Sequence, residues 1–476
     1  MNGMAALDLA PVAPEIVLAA AACAVLVVEV YGRSADLTYR LAQASLVLTA
    51  IVLALNFPDG SVVAFSGTFV ADPMAAILKI ATLVIGWFLF FYLQAYLRER
   101  GRGSGEHFIL GLFALLGMMV LVSAASLLTV YLGLELLSLS LYAMVALDRD
   151  SPVAAEAAMK YFVLGALASG MLLYGMSMVY GATGTLELAG IGEAARDGRD
   201  LILVLGLVFL VTGIAFKLGA APFHMWIPDV YEGSETPVTM FVGTAPKLAA
   251  FAMAVRLLAD GLFGLHGEWQ DMLVVLAVLS IGLGNVIAIA QANLKRMLAY
   301  STIAHMGFLF LGIIPGTSEG YAAAMFYVIV YAVMSLGAFG MIVVLSREGF
   351  EAERIEDFRG LNERSPWHAF LMLVLMLSMA GVPPFVGFWA KWSVLREVVA
   401  ADFVWLAVVA VLFSVVGLFY YLRIVKLMYF DEPGEPALAV ANPLRLVISV
   451  NALSVLVVGL FPGALLGWCL AAFTGG

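Results

Sequence analysis

The chain has 476 residues, 63% of them hydrophobic and only 12% charged, with a mean hydropathy of +1.02 and a net charge of −10. That composition excludes an ordinary soluble domain and leaves a polytopic membrane protein. An acidic balance without a basic patch makes nucleic acid a poor partner, and two cysteines fall short of the four thiolates an iron–sulfur cluster usually takes.

Fourteen apolar segments follow one another, near 15–31, 40–57, 73–97, 107–125, 127–147, 153–181, 201–230, 236–259, 269–292, 294–314, 319–347, 368–398, 402–430 and 444–472. Each is long enough to cross a hydrocarbon core of about 30 Å. The first begins near Glu15 without a basic n-region, so it reads as a retained span and not a cleaved signal. The third carries Lys79 six residues in, a position that suits a snorkelling anchor. The loop Gly101-Arg102-Gly103-Ser104-Gly105 is glycine-rich, but it lacks the preceding strand and the Lys-Ser/Thr ending of a phosphate loop. The split between the fourth and fifth spans rests only on Ser123, Ser126 and Thr129.

The fifth span holds Glu135 near its middle, in Tyr131-Leu132-Gly133-Leu134-Glu135-Leu136-Leu137. A carboxylate there must be protonated or find a cation. The sixth holds Lys160, about eight residues in. The seventh holds Lys217 and then Gly219-Ala220-Ala221-Pro222-Phe223, with His224 and Trp226 directly after. The eighth holds Lys247 in Gly243-Thr244-Ala245-Pro246-Lys247. The tenth holds His305, whose ordinary pKa suits proton relay. Ser301 and Thr302 precede it, although hydroxyls in apolar helices generally bond to their own backbone. The twelfth holds Gly381-Val382-Pro383-Pro384-Phe385, then Trp389 and Lys391.

Five lysines, Lys79, Lys160, Lys217, Lys247 and Lys391, therefore lie inside apolar segments and away from their ends. Each costs roughly 2.5–3.5 kcal/mol near the bilayer centre, before rescue by partners or water. Such residues are expected where ions or protons move. Glu135, Lys217, Lys247 and Lys391 are the main candidates for proton transfer, with His224, Lys160 and His305 beside them.

The loops divide by charge. One side carries Arg33, Arg40, Arg98, Arg100, Arg102, Arg149, Lys295, Arg296, Arg347, Arg354, Arg359, Arg364, Arg423, Lys426 and Arg445; the other has Arg196, Arg199, Arg256 and Arg396. The positive-inside rule puts both termini outside the cytoplasm. The two G-x-x-P-F runs lie five spans apart, an odd number, which turns one repeat upside down relative to the other. That arrangement predicts an inverted-repeat transporter with broken helices on the ion path.

The run Phe216-Lys217-Leu218-Gly219-Ala220-Ala221-Pro222-Phe223-His224-Met225-Trp226-Ile227-Pro228-Asp229-Val230-Tyr231-Glu232-Gly233, followed by Thr236-Pro237-Val238-Thr239, resembles the seventh-helix signature of the antiporter-like subunits of respiratory complex I. The likeness spans essentially the whole chain. Within that family, a long lateral helix after the fourteenth span would mark the subunit L branch, and a glutamate in place of Lys391 would mark subunit M.

The resemblance implies an all-α polytopic membrane protein with about 14 transmembrane helices. Two inverted five-helix repeats, spans 4–8 and 9–13, would carry broken helices 7 and 12. The expected division is 1–105 for the first three spans, 106–260 and 261–432 for the repeats, and 433–476 for span 14. The resemblance makes Glu135 and Lys217 the pair of a first half-channel, Lys247 a bridge and Lys391 the site of a second half-channel, and it associates His224 and Lys160 with the path. It implies a proton-translocating subunit of a NADH:quinone oxidoreductase in the bacterial inner membrane, with no cofactor or metal of its own. NADH, FMN, iron–sulfur clusters and quinone would belong to partner subunits. The partners would be other membrane-arm subunits, among them subunit M and small subunits, within the lipid bilayer. The same superfamily offers a second reading, a subunit of a multisubunit sodium/proton antiporter. A third, a non-transporting scaffold, leaves the cost of the buried lysines without a return.

Overall fold

The computed structural model describes residues 9–474 apart from 33, 104, 197–199 and 434–441. Arg33, Arg199 and Ser104 lie outside the described residues. The helices are α1 Ala13–Gly32, α2 Ala35–Leu55, α3 Pro73–Glu99, α4 Glu106–Val122, α5 Leu127–Val145, α6 Pro152–Thr183, α7 Leu188–Ala194, α8 Leu201–Leu218, α9 Trp226–Gly233 and α10 Thr236–Gly243. They continue as α11 Ala245–Val255, α12 His266–Ile289, α13 Leu294–Ile313, α14 Ser318–Leu345, α15 Leu361–Arg364, α16 Pro366–Ala380, α17 Val386–Ala400, α18 Val404–Phe430, α19 Asn442–Leu460 and α20 Gly463–Thr474.

Eleven of the described helical stretches are long and apolar enough to cross a membrane. The number is twelve if α19 and α20, bent by 77° across Phe461-Pro462, form one span. Two shorter apolar helices, α4 and α16, accompany them. The protein is an all-helical multi-pass membrane protein in which many starts are written locally. Asp72 caps α3 by accepting from the Ala75 amide at 2.8 Å, with Pro73 filling the first position, where no amide is needed. Ser151 with Pro152 does the same for α6.

The insecure boundary between α4 and α5 is a real break. Ser126 caps α5 by accepting from the Thr129 amide at 3.2 Å. A feature not expected from the sequence covers this break: strands β1 (Val62–Ala64) and β2 (Phe69–Ala71) form an antiparallel hairpin with Val63 opposite Val70. The Val70 amide donates to the Ser123 carbonyl at 2.9 Å, and the Ala125 amide to the Thr68 carbonyl at 3.1 Å. The loose ends of α4 and α5 are thus satisfied by the hairpin.

Both G-x-x-P-F runs break their helices as expected. α8 stops at Leu218 because Gly219 turns left-handed, with φ +82°, and α16 stops at Ala380 because Gly381 does so at +86°. The peptides Ala221-Pro222 and Pro383-Pro384 are cis. Two further interruptions appear where single spans were expected. α10 and α11 part at Thr244, one residue before the Ala245-Pro246 start of α11. The other is the bend at Phe461-Pro462. In both, proline lacks the amide that continuation requires.

α10, α11, α13 and α14 are buried almost throughout, whereas α1, α2, α6 and α18 turn apolar side chains outward. The innermost helices carry Lys247 and His305. The polar side chains therefore run through the middle of the molecule, and the apolar surface faces the lipid.

Candidate functional site

Breaking a helix inside an apolar protein leaves carbonyls and amides that must find partners. At the first break the Trp226 indole donates to the Phe216 carbonyl at 3.1 Å, and the Ala221 amide donates to the Ser280 hydroxyl at 2.9 Å. The Lys217 carbonyl accepts from the Lys247 ammonium at 3.3 Å. At the second break the Gly387 amide donates to the Ser378 hydroxyl at 3.1 Å, and the Ala380 carbonyl accepts from Lys391 at 2.9 Å. At each break, a lysine satisfies a carbonyl that the break has freed.

The Lys217 side chain, buried in the last turn of α8, turns toward α5 and donates to the Ser138 hydroxyl at 2.8 Å. The Ser138 hydroxyl in turn donates to the Leu134 carbonyl at 2.6 Å. Glu135, one helical turn before Ser138 and half-buried, accepts from the Ser169 hydroxyl on α6. Lys217 and Glu135 thus approach one small, partly open cavity of about 20 Å³ through hydroxyl partners, Ser138 and Ser169, which line it together with Lys217. That is room for one water.

Lys247 lies in the first turn of α11, 1% exposed, with its ammonium 5.2 Å from the Trp226 ring. The carbonyl end of α8 attracts a cation, whereas the amide start of α11 repels one. The two lysines therefore sit in opposite helix fields although Lys247 bonds the carbonyl of Lys217.

On α13, His305 is buried between two tyrosines. Its Nδ1 lies 2.7 Å from the Tyr327 hydroxyl and its Nε2 lies 3.2 Å from that of Tyr421. The Tyr421 hydroxyl continues to Ser301 at 2.5 Å. Tyr331 joins the neighbouring turn, its hydroxyl lying 2.8 Å from the Thr302 hydroxyl and 3.1 Å from the Gly243 carbonyl just before α11. Phe308 stacks on Tyr327 and lies 5.1 Å below the Lys391 ammonium, which also donates to Ser414 at 2.8 Å. Polar and aromatic contacts thus lead from the α11 end to Lys391.

The remaining sequence-predicted residues lie apart from this line. Lys160 is partly exposed and pairs with Glu156 at 2.8 Å and Asp229 at 2.6 Å. Asp229 also meets Arg296 at 2.9 Å. His224 is half-buried within the first break, and its Nδ1 has no hydrogen-bond partner. Lys79 does not snorkel. It is buried against Glu15 at 2.5 Å, because Glu15 on α1 offers a carboxylate inside the protein.

Several partners of the line were not singled out from the sequence: Ser138, Ser169, Ser414, Tyr327, Tyr331 and Tyr421. Ser138 carried one signal, its spacing of three residues from Glu135 on one helix face.

Ion pairs join the loops on the arginine-rich side. Arg102 meets Glu235 at 2.6 Å and Asp148 at 3.2 Å, and Arg100 meets Glu351. Lys295 reaches Glu353 at 3.2 Å and the Ser234 carbonyl at 2.9 Å. Burial pushes the Glu235 carboxyl up, but His107 at 3.1 Å and Arg102 outweigh it and hold it below the usual carboxylate range.

Residues 124–417 match the model of the family described as NADH:quinone oxidoreductase/Mrp antiporter, TM. NADH-quinone oxidoreductase subunit N of Thioalkalivibrio sulfidiphilus is 55% identical over 474 residues, 98% of each chain. The protein of the same name from Thiobacillus denitrificans is 58% identical over 471 residues, again 98% of each chain. Among solved structures, a chain of respiratory complex I from Thermus thermophilus is 33% identical with a TM-score of 0.84, covering 97% of this chain and 100% of that one. A chain of the Mrp complex from Dietzia is alike in fold, with a TM-score of 0.88 at 20% identity over 98% of each chain. The chain belongs to the NADH:quinone oxidoreductase/Mrp antiporter transmembrane family.

Proposed function

We propose that this chain is the subunit N type of proton-translocating membrane subunit in a NADH:quinone oxidoreductase. The observation that carries this reading is the interior line Glu135–Ser169, Ser138–Lys217, Lys217 carbonyl–Lys247, and then His305 and Lys391. These side chains gain and lose protons, and they lie where a structural protein would place apolar groups. A proton held at Glu135 moves to Lys217, and the charge on Lys217 is felt at Lys247. The tyrosine-lined His305 joins Lys247 to Lys391. Moving one charge across 100 mV costs about 2.3 kcal/mol, so the coupling from partner subunits must supply at least that per proton. His224 and Lys160 act at the margins of the first half, one in the break and one at the Asp229 rim.

The two shorter helices α4 and α16 bring the span count from twelve to fourteen, with α16 and α17 as one broken span. On this reading residues 1–105 hold the first three spans, 106–260 and 261–432 form the inverted repeats with broken spans 7 and 12, and 433–476 hold the last span. The arginine-rich belt faces the cytoplasm, and both termini face the periplasm of a bacterial inner membrane. NADH, FMN, iron–sulfur clusters and quinone act in partner subunits, and subunit M and small membrane-arm subunits are neighbours.

Affinity purification of the tagged chain in mild detergent tests this directly. The expected result is co-purifying NADH:quinone reductase that pumps protons in vesicles without sodium. Sodium-dependent proton exchange in a fraction lacking quinone reductase would favour the second reading, a multisubunit sodium/proton antiporter, which the fold likeness to the Mrp chain motivates.

A further inference from the structure

Tyr142 lines two separate spaces. One is the small, partly open cavity of about 20 Å³ that it shares with Ser138, Ser169 and Lys217. The other is an open groove of about 470 Å³ between α5 and α6, walled mostly by apolar side chains, Leu139, Ala143, Met159 and Phe162 among them, with Asp148 and Arg149 at its loop end. The groove reaches the loop after α5, on the arginine-rich side.

The sequence builds this wall from three faces. On α5, Glu135, Ser138 and Tyr142 follow one another at spacings of three and four, so they form a single stripe. On α6, Gly165 and Ser169 stand opposite. A Cβ at Gly165 would overlap the Tyr142 hydroxyl, so the glycine is what admits the phenol tip between the helices. The Tyr142 ring is held edge-on against Tyr161, with centroids 4.6 Å apart, and against Phe162 at 5.8 Å. The ring is clamped, and its hydroxyl sits at the partition.

We propose that Tyr142 is the uptake gate of the Lys217 chamber. It is a positioning residue, and the proposal rests on the proton-relay reading given above. A hydronium at the polar end of the groove, near Asp148, gives a proton to the Tyr142 oxygen and becomes water as the phenol's own proton passes to the water in the small cavity. That water passes a proton to the neutral Lys217 amine, forming the ammonium. Rotation of the phenol hydroxyl restores the gate, so tyrosine and water end as they began and one proton has moved from groove to lysine. The ring itself blocks a continuous water file between the two spaces.

The test uses the assembled complex in vesicles, with NADH oxidation by a water-soluble artificial acceptor as the measure of intact redox subunits. Tyr142→Phe keeps the wall and removes the hydroxyl. We expect at least a fivefold slower coupled quinone reduction, with the loss growing as the pH on the uptake side rises and protons become scarce. Ala143→Phe fills the groove from its exposed side and leaves the chamber untouched; it should slow coupled turnover severalfold. Lys217→Ala is the reference. Wild-type turnover and pH profile in Tyr142→Phe or Ala143→Phe, while Lys217→Ala no longer pumps, would overturn the gate and leave the relay standing. Wild-type pumping in Lys217→Ala would instead remove the relay on which the gate depends.

Discussion

Lys247 is joined to Lys217 through the backbone: its ammonium donates to the Lys217 carbonyl at 3.3 Å, while the Lys217 ammonium points away to Ser138. The break after Leu218 makes this possible, since Gly219 ends the helix and frees the carbonyl. The bond ties the end of α8 to a lysine on another helix without the two ammonium groups meeting.

Gly219→Ala should damage this link more than its size suggests. The added methyl would overlap Ile227, and the left-handed backbone costs a non-glycine residue about 1–2 kcal/mol. The expected outcome is a lower melting temperature and at least tenfold slower coupled turnover. Wild-type values in a melting scan and a quinone reductase assay would show that the break tolerates a side chain.

Glu135 should act through its charge. Glu135→Gln keeps the hydrogen bond to Ser169 but loses the carboxylate, and it should slow pumping about tenfold or more. Glu135→Asp keeps the charge and should be milder. Equal pumping rates for the two variants across pH 6–8 would speak against an electrostatic role.

The first three helices were misread at one position, and the reason is instructive. Distance along the chain from a span's end suggested that Lys79 snorkels, but such a count does not reveal which face a side chain takes or what waits there. The breaks at Pro222 and Pro384, by contrast, were legible because glycine and proline act through local backbone geometry. Proline also stands at the two breaks that were read as continuous, before Lys247 and at Pro462, where the apolar run continued on both sides. Serines 169 and 414 and the tyrosines around His305 were not legible, and Ser138 only by its spacing from Glu135. Hydroxyls are common in apolar helices, and only the packing of α5 on α6 and of α13 on α14 and α18 assigns them partners.

That buried Glu15–Lys79 pair gives a stability test. Removing one partner leaves an uncompensated charge, which typically costs 3–5 kcal/mol, whereas replacing both with apolar residues is often near neutral. Lys79→Met should lower the melting temperature of the solubilised complex. Glu15→Leu combined with Lys79→Met should recover most of it, with protons pumped per NADH unchanged. No rescue in the double variant would rule out a simple structural pair.

The Glu235 cluster predicts acid sensitivity. Its carboxyl titrates below the usual range when folded, so it adds stability above the ordinary carboxylate pKa of about 4.3, lost as pH falls through the lower, folded value. Glu235→Gln should flatten the fall of melting temperature between pH 6 and pH 3. An unchanged acid limb would mean the belt contributes nothing there.

The central claim is that protons pass through the buried lysines, and Lys217→Ala tests it most directly. Protons translocated per NADH are measured in vesicles holding a complex whose artificial-acceptor activity is normal. The relay predicts that pumping falls at least tenfold, together with coupled quinone reduction. Unchanged proton translocation and turnover in that assembled variant would contradict it.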